Sequence, residues 1–217
     1  MCYFTCPPSN AEHYLAEDTI EADPKHGTTV QAGWGAAKDV LKGSSNSDYP
    51  TDFRFSDQAQ LVRFMEDEPF AVYESHWIER EGKKSFVCLG DDCPLCVTAG
   101  DKPRPKFAFN IISLSDGEPN VQILTAPPSF ARQLQAANDD PRRGPLTKWY
   151  WAISRTGTGN KTLFTLDRVR GTDLAEEWEL DVDSVDEFAT TAVSYDTSAV
   201  YVSPRDELQK IARTLVS

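Results

Sequence analysis

The stretch HWIEREGKKSFVCLGDDCPLC constrains this chain more than any other, because it gathers four soft metal donors in one short run. His76, Cys88, Cys93 and Cys96 stand at His-x11-Cys-x4-Cys-x2-Cys spacing. A structural zinc ion takes four nitrogen or sulfur ligands in a tetrahedron and leaves no position open. Cys93-Pro94-Leu95-Cys96 suits a tight knuckle that aims two thiolates at one point. Cys88 closes a third corner after the Leu-Gly-Asp-Asp turn, and His76 arrives from a neighbouring strand. The expectation is one structural zinc ion that holds the fold and does no hydrolysis.

Two other readings compete. Two of the cysteines could form a disulfide, or the Cys-x-x-Cys could be redox-active. The N-terminal MCYFTCPPSN shows no secretory signal, which argues against an oxidising compartment. A third cysteine and a histidine lie near the Cys-x-x-Cys, and no βαβ pattern surrounds it. Zinc is the favoured reading. The other histidines, His13 and His26, lie in a polar N-terminal segment far from any cysteine pair. Cys2 and Cys6 have no further ligand nearby and read as reduced thiols. A reducing cytoplasm is the expected compartment, and no apolar run is long enough to span a membrane.

Charge divides the chain into three. The net charge is −12. Residues 1–49 hold three basic and seven acidic groups, residues 50–172 hold sixteen of each, and residues 173–217 hold three and eleven. The acid concentrates in DLAEEWELDVDSVDE. The neutral middle clusters its cations at Lys83 and Lys84, at Lys102, Arg104 and Lys106, at Arg142 and Arg143, and at Arg168 and Arg170. Composition alone favours ordinary solvated loops for these clusters. The expected division is an N-terminal arm (1–49) with a short helix in GWGAAKDVLKG, a core (50–172), and an acidic extension (173–217). The zinc subdomain occupies about residues 74–98 of the core.

Hydrophobic periodicity in the core alternates with period two. QLVRFME, FAVYESHWIER, SFVCL, PKFAFNIISLS, NVQILTA, LTKWYWAISR and KTLFTLDRVR read as strands. PPSFARQLQAAN reads as a helix, with prolines at its start and Phe130, Leu134 and Ala137 on one face. TGTGN is a hairpin turn. After Pro204, Leu208, Ile211, Ala212 and Leu215 share a helix face that suits docking. Short strands with one helix between them fit an OB-fold, a five-stranded Greek-key barrel, carrying a zinc knuckle.

GWGAAK, EPFAVYESHWIER, GKKSFVCLGDDCPLC and PRPKFAFN, within residues 30–170, resemble the single-stranded DNA-binding proteins of T-even-like and actinobacterial tailed phages. The resemblance implies an OB barrel with a zinc subdomain. It implies a protein that coats transient single strands in phage replication, recombination and repair, with little sequence preference, in the cytoplasm of the infected host. It implies that the acidic C-terminal part contacts replication partners and competes with DNA. The T-even members use a basic N-terminal arm for cooperativity, whereas residues 1–30 here are not basic. Self-association on DNA would therefore use another surface.

Nonspecific single-strand binding needs cations along the phosphate track and aromatic faces for the bases. Lys83 and Lys84 sit beside Phe86, Arg104 and Lys106 precede Phe107 and Phe109, and Lys148 leads into Trp149-Tyr150-Trp151. Alternation puts Lys106, Ala108 and Asn110 opposite Phe107, Phe109 and Ile111, which belong to the core. It puts Lys148 with Tyr150, the first choice as a base platform, and Tyr73 with Trp77 on the face opposite His76. The candidate DNA contacts are thus Lys83, Lys84, Arg104, Lys106, Lys148, Tyr150, Tyr73, Trp77, Arg168 and Arg170. The alternative is a zinc-stabilised adaptor acting through its acidic region. An enzyme has little support: there are no paired histidines at metalloprotease spacing, no phosphate loop and no His-x-Glu of a zinc deaminase.

Overall fold

Residue 110 shows why the chain folds as it does, because the strand around it is paired on both edges. In the computed structural model, which describes residues 50–78, 85–115 and 117–216, this strand is β4 (Arg104–Ser113). The predicted N-terminal helix, Cys2, Cys6, His13, His26, Lys83 and Lys84 lie outside the described residues. Before β4 come β1 (Gln60–Phe64), β2 (Ala71–Trp77), β3 (Ser85–Val87) and a single helical turn, α1 (Pro94–Val97). After it come β5 (Asn120–Ala126), α2 (Pro128–Asp139), β6 (Tyr150–Thr156) and β7 (Leu163–Val169). The chain ends with α3 (Gly171–Glu177), α4 (Val182–Thr191) and α5 (Arg205–Leu215).

All seven strands join one antiparallel sheet in the order β3-β2-β4-β1-β6-β7, with β5 on β4. One edge of β4 pairs with β5 from Phe107 to Ser113. The other edge pairs first with β2, with Ser75 opposite Arg104, and then with β1, with Val62 opposite Ser113. The ladder is open among the described residues. The run 51–56 bridges two edges. Phe53 N–H donates to Ile123 O of β5 at 2.9 Å, and Arg155 N–H of β6 donates to Ser56 O at 2.7 Å.

Period-two alternation sends the two faces of β4 to different neighbours. Phe109 and Ile111 enter the main core with Phe64, Leu124, Trp151 and Ile153, and partly buried Phe107 packs against it. Helix α2 fills this side with Phe130 and Leu134, both fully buried. Pro127 and Pro128 start the helix where a missing N–H costs nothing. Gly144 follows on the far side, and a Cβ there would lie 1.8 Å from Asn138 O, so only glycine fits. On the opposite face, Ile112 and Leu114 meet Leu61, Tyr150, Val169, Leu174 and Val185 in a second core.

That second core corrects the expectation of an acidic extension. Leu174 of α3 and Val185 of α4 are buried, so the acid-rich run covers the sheet with its apolar residues and turns its carboxylates outward. The last helix is likewise packed. Leu208, Ile211 and Ala212 of α5 form a third core with Ile78, Phe86 and Leu95, while Leu215 stays exposed. The helical spacing of α5 was legible, but its docking partner is this same chain.

Truncating the plug of α2 is expected to be costly. Phe130→Ala removes a fully buried ring that stacks on Phe164 with centroids 4.9 Å apart. It should destabilise the fold by about 3–5 kcal/mol in denaturant unfolding.

Candidate metal centre and groove

The hairpin of β2 and β3 carries chemistry on both faces. His76 pairs with Phe86 across it, and Cys88 follows two residues later on the Phe86 side. Cys88 N–H donates to Glu74 O at 2.8 Å, which extends the ladder to this cysteine. The knuckle closes on itself: Cys93 N–H donates to Gly90 O at 3.0 Å, and Cys96 N–H to Cys93 O at 3.0 Å. Gly90 has a φ of 85°, a conformation that favours glycine.

These folds bring His76, Cys88, Cys93 and Cys96 together, with all ligand atoms within 4.8 Å of one another. His76 Nε2 lies 3.5 Å from Cys93 Sγ and 3.6 Å from Cys96 Sγ, and Cys88 and Cys96 Sγ lie 3.6 Å apart. A disulfide needs sulfurs about 2.05 Å apart, and all three thiols are free. The cluster is close enough to hold a metal ion. His76 and Cys93 are fully buried.

The electrostatics favour a cation at this point. Burial pushes the Cys96 thiol up to about 12, and the neighbouring sulfurs of Cys88 and Cys93 add to the rise. Burial raises Cys93 too, but backbone hydrogen bonds at Leu89, Cys96 and Leu95 outweigh it and bring the thiol down to about 7. Three thiolates crowded at one point would repel each other, and a divalent ion between them would remove that conflict.

Asp101 is a functional residue that the sequence reading missed. Its Oδ2 lies 2.7 Å from His76 Nδ1. With Nδ1 held by the carboxylate, Nε2 is left to face the sulfurs. Asp101 N–H donates to Leu95 O at 3.0 Å, which fixes the carboxylate against the knuckle. A lone Asp five residues after the last cysteine carries no ligand spacing, so only the fold reveals it.

The other face of the hairpin borders a groove of about 700 Å³. Tyr73, exposed Trp77 and half-buried Lys106 line it, together with Arg54, Phe55, Arg155 and Tyr201. Burial lowers the Lys106 pKa, and the positive charges of Arg104 and Arg155 lower it further. Asp52 also lines the groove; burial raises its pKa, against the pull of Arg54. The Arg63–Asp186 salt bridge lies elsewhere. A second cleft of about 710 Å³ beside α2 has Asp67, Glu68 and Asp139 at its walls, a poor setting for a polyanion.

The other predicted contacts among the described residues, Arg104, Lys148, Tyr150, Arg168 and Arg170, do not line this groove. Tyr150 is a correction: it is 8% exposed, under α4, with its hydroxyl 3.3 Å from Asp186 Oδ1. Its alternation with Trp151 was read rightly, but the face it shares is the second core. Phe86 is buried in the third core and presents no platform. Lys148 and Arg168 both stack on the Trp149 ring, at 5.1 and 4.6 Å from its centroid. Arg170 is exposed at the start of α3.

Asp101→Asn should weaken metal binding about 10–100-fold, the usual effect of removing an outer partner of a ligating histidine. Competition with a chromogenic chelator measures it, and an unchanged affinity would remove Asp101 from the metal centre.

No family model, curated protein or solved structure matches this chain.

Proposed function

We propose that this protein binds single-stranded DNA through the groove, and that zinc occupies the neighbouring metal centre as a structural ion. The observation that carries the DNA reading is Lys106. A partly desolvated ammonium that feels the positive charges of Arg104 and Arg155 destabilises the free protein, and an arriving phosphate relieves that repulsion. Trp77 supplies an exposed aromatic face beside it, 64% accessible. Cations along a track with open aromatic faces are what sequence-tolerant single-strand binding requires.

Zinc is the ion that best suits the donor set. Zn–S bonds of about 2.3 Å and Zn–N bonds of about 2.0–2.1 Å place tetrahedral edges near 3.8 Å for S–S and 3.5 Å for S–N. The separations of 3.6 Å, and of 3.5 and 3.6 Å, lie close to those edges. His76, Cys88, Cys93 and Cys96 would fill the shell, so the ion would act on stability and leave DNA to the groove.

We read the fold as an OB-type barrel on the same footing. A sheet curled around a core, plugged by α2 and bridged across its open edges by residues 51–56, supports it. The resemblance to phage single-stranded DNA-binding proteins adds a setting: coating of transient strands in phage replication, recombination and repair. The adaptor alternative needs free apolar faces in the acidic region, and those of α3, α4 and α5 are packed on the body of the chain.

Two substitutions test the groove, read by anisotropy of a labelled oligo-dT with duplex as control. Trp77→Ala should weaken single-strand binding about 5- to 100-fold, the range for one stacked base. Lys106→Met should reduce the slope of log affinity against log salt by about 0.7, one phosphate contact on a single strand. Because Lys106 is penalised when protonated, and that penalty is full at pH below its lowered pKa, the same variant should melt no lower than wild type at neutral pH. A wild type that ignores oligo-dT at low salt, or variants that bind as wild type does, would overturn the proposal.

A further inference from the structure

The segment between α4 and α5 crosses the sheet beside the groove, and three of its residues line it. Its first anchor is Asn110, fully buried on β4. The Asn110 amide donates to Tyr195 O at 2.9 Å, and its carbonyl oxygen accepts from Tyr195 N–H at 2.9 Å. Asn110 thus pairs with this segment as a neighbouring strand would. The second anchor is α5, whose Leu208, Ile211 and Ala212 are buried against the metal module. Between the anchors, Ala199, Val200 and Tyr201 line the same groove as Tyr73, Trp77 and Lys106.

The chemistry of this segment differs from that of the acid-rich run before it. From Ala192 to Pro204 it reads AVSYDTSAVYVSP, with one carboxylate. That carboxylate, Asp196, is turned onto Ser198, accepting from its N–H at 2.8 Å. Tyr201 is 63% exposed and Val202 50% exposed. A segment built to mimic DNA would present acid to Arg54, Lys106 and Arg155; this one presents an aromatic ring. Exposed aromatic surface beside a cationic track matches a base platform.

We infer that the segment 195–203 is a wall of the DNA groove, and that Tyr201 stacks on a base alongside Trp77. This rests on the reading of the groove as a single-stranded DNA site. It also sets the C-terminal region in a role opposite to competition: the chain end contributes to binding, and the metal module fixes it there through α5.

The test uses the full chain with Tyr201→Ala and Tyr201→Phe, and oligo-dT at moderate salt. Tyr201→Ala should lose about 5- to 100-fold in affinity with its salt slope unchanged, since a stacking contact releases no counterion. Tyr201→Phe should bind within about twofold of wild type, because the ring face is retained. Ultraviolet cross-linking to a bromodeoxyuridine strand should label the peptide containing Tyr201. A circular dichroism spectrum like that of wild type establishes that each variant folds, so that a loss of affinity reports on the groove. Equal or tighter binding by Tyr201→Ala would overturn the inference while leaving the groove reading intact. A wild type that fails to bind oligo-dT would reject the groove reading, and this inference with it.

Discussion

Four side chains aimed at one point organise more of this molecule than any apolar contact does. His76 comes from β2, Cys88 from the end of β3, and Cys93 and Cys96 from a single helical turn. The module they build holds few large apolar residues of its own: Ile78, Phe86 and Leu95. Such a small cluster is too little to fix a hairpin and a loop without a cross-link or a metal. The cysteines make the point electrostatically, since the raised pKa of Cys96 reflects the cost of placing a thiolate beside Cys88 and Cys93, a cost that a bound cation offsets. Once ordered, the module offers α5 its binding face, and α5 in turn holds the segment that borders the groove.

Strand β4 shows how one alternating strand serves several purposes. Phe109 and Ile111 point into the main core. On the other face, Ile112 and Leu114 meet the C-terminal helices, Asn110 fastens the crossing segment at Tyr195, and Lys106 opens to the groove. The same face passes from apolar to amide to cation over a few residues. Where the C-terminal region is apolar it covers the sheet, and where it thins to the segment between α4 and α5 it borders the groove.

The sequence made visible what depends on local spacing. The ligand set, the hairpin bearing His76, the helix starting at Pro128 and the inward face of β4 all follow from periods of two and 3.6 and from cysteine spacing. What it hid depends on contacts between distant segments. Tyr150 alternates as a surface residue would, and only the docking of Leu174 and Val185 makes its face a core. The acid count of residues 173–217 drew attention from the apolar residues at helical spacing among the carboxylates. Asp101 and Tyr201 lie on loops with no periodic signal, and their roles come from the elements that bracket them. Arg54 and Arg155, which both line the groove, sit in separate parts of the chain and were likewise invisible as a pair.

The most direct test of this account is hydrogen exchange on the purified protein, with its metal content determined before and after chelation. The account predicts one zinc ion per chain. It predicts that removing the ion raises exchange in residues 71–78, 85–101 and 205–215, while β1, β6 and α2 stay protected by the main core. A protein that carries no metal yet is protected in residues 85–101, or one whose α5 is unmoved by chelation, would contradict it.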